Sequence, residues 1–231
     1  MVPILLIAAN FVRTQWLVVA IMTAYLLGIS GVFAVHQQPG ETIFFLQWHS
    51  FYVLFLAMIL AVGAIQSERK SRRIIAVLSK GIHRWQYLAG LLCGCGGIAG
   101  LFWIVIACAM SAFPHQTAST VTLVAVFVAL FCCSLATAAV ALFYSVFLHP
   151  LLATFAASAT LALPYLVQPW NSPGRSVWFP VSGIFVLLQD YQIRPASEVW
   201  SVAVAAFVYS LFFLVAAAVI FNRRDVTTSP E

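Results

Sequence analysis

The sequence predicts an all-α integral membrane protein with six transmembrane helices. Three observations predict it. Hydrophobic residues make up 63% of the 231 positions and charged residues only 7%, against about 25% charged in a soluble domain. Mean hydropathy is +1.02. Between Arg84 and Arg175 there is no Asp, Glu, Lys or Arg. An N-terminal interfacial helix, a short cytoplasmic helix between helices 2 and 3, and a short re-entrant or interfacial segment between helices 5 and 6 complete the expected fold. All of it belongs to one domain, residues 1–231.

A hydrocarbon core about 30 Å thick needs roughly 20 apolar residues per helix, and charges and prolines cut the chain at that spacing. The first span is expected over Thr14–Val35, before the polar turn HQQPGE. The second runs over Ile43–Gln66 and leads into a basic stretch. The third covers Gln86–Phe113 and stops at Pro114. The fourth, Ala118–Leu148, stops at His149-Pro150, and the fifth, Leu151–Val167, follows at once. The sixth is Val199–Phe221, closed by Asn222-Arg223-Arg224. Proline at the breaks is the expected punctuation. Two segments are too short to span. MVPILLIAAN, without a basic n-region or a cleavage site, is not a removable signal peptide and is expected to lie in the inner interface. Residues 176–189 fit a re-entrant or interfacial piece on the outer side, with Trp170 before it and Trp178 near its start.

Orientation follows from the basic residues, which are retained on the cytoplasmic side. With both termini inside, nine of the eleven are cytoplasmic, and only Arg175 and Arg194 fall outside. The same rule accounts for the net charge of +5 and pI near 9.1, so nucleic acid is not an expected partner.

The chain lacks the usual catalytic groups. It has no Gly-x-x-x-x-Gly-Lys-Ser/Thr phosphate loop and no His-Glu-x-x-His zinc motif. No Asp, Glu, Lys or Arg lies inside a predicted span, which argues against a self-powered carrier or acid–base chemistry at depth. No metal site is expected. Cys93 and Cys95 point about 200° apart on a helix and cannot chelate one ion together. The pairs Gly90/Gly94 and Gly96/Gly100 in the same stretch suit close helix approach. In the second span Phe44, Trp48, Phe51, Tyr52 and Phe55 repeat at helical spacing, with His49 among them. Packing or lipid contact is the ordinary role of such a stripe. Phe44, Trp48, His49 and Tyr52 are the candidates for a translocation path.

The basic stretch is the most informative part. Arg69, Lys70, Arg72, Arg73, Lys80 and Arg84 are six of the eleven basic residues. A polybasic loop on anionic lipid, worth about 1 kcal/mol per residue, explains the charge but not the apolar run Ile74-Ile75-Ala76-Val77-Leu78 inside it. On a helix, Ile75, Leu78 and Ile82 share one face, Ser71 can cap the start and Gly81 can end it. A short amphipathic cytoplasmic helix, suited to docking, is expected here.

Glu68-Arg69, Ile75, Leu78-Ser79, Ile82, Arg84, Tyr87-Leu88 and Gly90 resemble the pattern of ABC-2 type transporter permeases, over about 23 residues. In that family Glu-Arg at the end of the second span opens a cytoplasmic coupling helix. Two positions depart from it: Lys70-Ser71-Arg72-Arg73 stands where Gly-Thr is common, and Gly81 where proline is frequent. The resemblance implies the transmembrane subunit of an ATP-driven exporter in the cytoplasmic (inner) membrane. Glu68, Arg69, Arg72, Arg73, Ile75, Leu78, Gly81 and Arg84 would couple it to a separate ABC ATPase subunit, which alone would carry ATP and Mg. The tail NRRDVTTSPE is too short to hold a nucleotide-binding domain, so the chain itself is expected to be no enzyme. A second permease chain, identical or related, would complete the path within membrane lipids. The alternative is a multi-span membrane enzyme or assembly factor whose basic loop holds lipid headgroups.

Overall fold

Helix is the only regular structure among the described residues, which in this computed structural model are 2–35, 41–70, 82–111, 120–167, 180–187 and 196–223. They form eight helices: α1 (Val2–Thr14), α2 (Trp16–Val35), α3 (Glu41–Lys70), α4 (Arg84–Ser111), α5 (Thr120–Ser145), α6 (Pro150–Val167), α7 (Pro180–Leu187) and α8 (Ala196–Arg223). Five of them, α2, α3, α4, α5 and α8, are long and apolar enough to cross a membrane. α6, with 18 residues, is about 27 Å long, and its 150–162 portion forms a shorter apolar helix.

Local chemistry sets the ends. α1 and α2 join without a loop. The Gln15 amide donates to the Phe11 carbonyl at 3.1 Å, and the Gln15 carbonyl accepts from Val19 at 3.0 Å. Helical bonding therefore runs through the junction. α4 opens on one half of a capping box, the return bond from the third residue's side chain. The His83 carbonyl accepts from Gln86 and Tyr87, while the Gln86 side chain accepts from the His83 amide at 3.2 Å. α5 ends three residues earlier than expected, in a turn in which the Tyr144 carbonyl accepts from Phe147 and Leu148. Pro150 then takes the first position of α6, where a missing N–H does no harm, and the His149 carbonyl accepts from Ala153. Pro180 opens α7 in the same position.

α5 is the hub. Helices α3, α4, α6, α7 and α8 all pack on it, α8 most extensively. Small residues make that approach possible: Ala125, Ala129, Ala136, Ala139 and Ala141 are buried on α5, and Val202, Ala203, Ala206, Ser210 and Ala217 on α8. Close backbone approach by small residues replaces the hydrophobic drive that lipid cannot supply. Several polar side chains are satisfied within their own helix. Ser50, Ser134, Thr137 and Thr160 each donate to the carbonyl four residues back. Other bonds cross between helices in the core: the Trp103 indole donates to Ser134 Oγ at 3.0 Å, and the Cys133 thiol donates to the Pro180 carbonyl at 3.5 Å.

The two glycine pairs of α4 serve different neighbours. Gly90 and Gly94 face α1, and Gly96 and Gly100 face Leu135 and Phe131 of α5. Ile4 and Ile7 meet Gly90, while Ala8 and Phe11 meet Gly94, so α1 and α4 run in the same direction along the seam. The N-terminal helix is thus packed against the bundle through one edge, and Leu5 and Leu6 on its other side remain exposed.

Candidate functional site

The predicted coupling residues fall around the connection between α3 and α4. Glu68 and Arg69 lie on the last turn of α3, which continues to Lys70. Arg72, Arg73, Ile75, Leu78 and Gly81, with the amphipathic helix expected there, lie outside the described residues. Arg84 opens α4, and its surroundings are well defined.

Its guanidinium donates to the Phe221 carbonyl at 2.6 Å and to the Asn222 carbonyl at 3.3 Å. Both belong to the last turn of α8, whose final four carbonyls have no acceptor role within the helix. A cation at this point also meets the negative end of the helix dipole. The same guanidinium stands 5.7 Å over the Phe221 ring, and Tyr87 stacks on that ring at 6.4 Å. Tyr87 and Phe221 are both 1% exposed. Arg84, expected at a partner ATPase, is therefore engaged within the chain. The contact also fixes a geometric point: the end of α8 and the start of α4 lie at the same end of the bundle.

The aromatic stripe on α3 divides into two faces. Phe44, Trp48 and Tyr52 are exposed, together with Phe51 and Phe55. Rings of α2 meet part of the stripe: Tyr25 lies 5.4 Å from Tyr52, and Phe33 lies 6.4 Å from Phe44 and 5.2 Å from Phe45. These pairs set α2 antiparallel to α3. His49 is on another face and only 3% exposed. Its Nδ1 lies 2.7 Å from the Phe45 carbonyl and so carries the proton it donates, which leaves Nε2 as an acceptor. That nitrogen is buried with no hydrogen-bond partner among the described residues. The structure therefore brings Phe44, Trp48 and Tyr52 together and sets His49 apart from them.

Phe221 and Asn222 are the partners that sequence reasoning did not name. Nothing in their types marks them, because the atoms that matter are main-chain carbonyls. The one available signal is positional: they end the last span, where free carbonyls attract arginine. Among the described residues no group of three or more His, Cys, Asp or Glu is placed to hold a metal ion. Cys93 is exposed and Cys95 buried, on different faces of α4. No protein-family model and no curated protein matches the sequence.

Proposed function

We propose that the chain is the permease subunit of an ATP-driven exporter of the ABC-2 type, forming the translocation path and coupling to a separate ATPase. The observation that carries this reading is the Glu68–Gly90 pattern, lying between the second and third long helices of an all-helical chain. In this reading α6 crosses the membrane beside the five longer helices, giving six spans. α7 is the re-entrant piece on the outer side. Both termini are cytoplasmic, as the distribution of basic residues favours, and the membrane is the cell's inner one.

The division of labour follows from the chemistry available. The apolar run 74–78 would dock in a cleft of the ATPase, and the basic residues around it would set register against an acidic rim. Closure of the ATPase pair would then shift the permease between inward- and outward-facing populations, each stabilised by its own contacts. A second permease chain supplies the other wall of the path, with Phe44, Trp48 and Tyr52 of α3 as candidate lining. Export as the direction comes from the resemblance.

Affinity purification from mild detergent tests this reading. Recovery of a soluble ATPase bearing a phosphate loop, with two copies of each subunit, is the expected result. Recovery of the chain without any such ATPase, under conditions that preserve a control complex, would overturn it.

A further inference from the structure

Arg84 sits directly after the basic stretch in sequence and directly beneath the last helix in space. Two carbonyls of α8, the Phe221 ring and the end of the α8 dipole converge on it. Each end of the contact is rigid. On one side, the half capping box of His83 and Gln86 holds the first turn of α4. On the other, α8 is bound along α5 by its stripe of small residues, and it also packs against α7. A connection this short between two held bodies transmits displacement, because neither end can yield alone.

We infer that Arg84 is a positioning residue that fastens the inner end of α8 to the start of α4, so that movement at the start of α4 drives the last span as well as the third. This rests on the permease reading, which supplies the movement. α8 has 28 residues and is about 42 Å long, so a displacement at Phe221 is carried to its far end near Trp200. The planar guanidinium is needed for this: Nη1 donates to both carbonyls while the plane covers the Phe221 ring. Lysine offers a point charge without the planar fork and retains only part of the contact.

The test uses the full chain in lipid nanodiscs, with its five native cysteines replaced. Spin labels on Trp85→Cys and Arg223→Cys report the clasp without any partner. A narrow distance distribution is expected, broadened by Arg84→Ala and partly restored by Arg84→Lys. In complex with the ATPase, the labelling rate of Trp200→Cys by an impermeant thiol reagent is measured with and without ATP and vanadate. A change of at least about fivefold is expected, falling below about twofold in Arg84→Ala and intermediate in Arg84→Lys. An unbroadened distribution in Arg84→Ala overturns the inference, as does a nucleotide response at position 200 that survives that substitution or is absent from the parent chain. Failure of any ATPase to co-purify sinks the permease reading instead, and the spin-label distances then decide the clasp alone.

Discussion

Ile7 of α1 packs directly onto Gly90 of α4. A β-carbon at position 90 would stand 2.8 Å from both Cβ and Cγ2 of Ile7, with the Ile4 carbonyl at 3.1 Å. The Cγ2 methyl can turn with χ1, but the Ile7 Cβ and the Ile4 carbonyl are held by the backbone and no rotamer change moves them away. The contact at Gly96 differs in kind, because its near neighbour at 2.6 Å is the Leu135 Cδ2 methyl, the free end of a flexible side chain.

The two glycines should therefore respond differently. Gly90→Leu is expected to lower stability by about 1–3 kcal/mol, as overpacking does, and to release α1 to proteolysis. Gly96→Ala should be close to neutral, since the helix gains about 1 kcal/mol of propensity while Leu135 swings aside. Thermal midpoints and limited proteolysis in nanodiscs distinguish the pair. Equal sensitivity at the two positions would contradict the seating of α1 on this seam.

The Trp103–Ser134 bond gives a second measurement. Ser134→Ala removes the acceptor of a buried indole N–H. Interhelical bonds of this kind average about 0.6 kcal/mol in a membrane, with a maximum near 1.7. A double-mutant cycle with Trp103→Phe should return a coupling in that range. A coupling of zero would show that the bond does not form.

Sidedness can be read chemically. His83, just before α4, and Glu198, in the first turn of α8, are both exposed, and the six-span reading sets them on opposite sides. Single cysteines at these positions should label from opposite faces of sealed vesicles. Labelling of both from one face would remove that topology.

Docking separates the ATPase partner from the lipid-headgroup alternative. Leu78→Asp should leave expression and insertion intact, because the residue lies beyond the predicted spans. It should weaken ATPase binding by at least about tenfold, since burying a leucine is worth about 1.5–3 kcal/mol. Arg72→Ala with Arg73→Ala should have a milder effect and a smaller salt dependence than the parent chain. If Leu78→Asp binds normally while the arginine variant loses its affinity for anionic vesicles, the stretch is a lipid anchor.

The helical class and the chain's long apolar helices were legible in one dimension, for a physical reason. In hydrocarbon every backbone group must be bonded within its own segment, so length, apolarity and breaks are properties of each segment alone. The observed α2 and α8 agree with the expected first and sixth spans to within a few residues, α3 extends four residues past the expected end of the second, and α4 opens two residues before the expected third. The proline that opens α6 was visible in the same way. Contacts between helices were not. Lipid is as apolar as leucine, so no hydropathy signal says which face of a helix meets protein. The seam at Gly90 and Gly94 was legible as a place for close approach, yet only the tertiary structure assigned it to α1. The sequence groups His49 with Phe44, Trp48 and Tyr52 as candidates for one path, but packing buries the histidine and leaves the others exposed. Arg84 shows the limit most clearly. Its charge was plain in the sequence, but its partners are two main-chain carbonyls some 137 residues away, atoms that every residue possesses and only the fold could select.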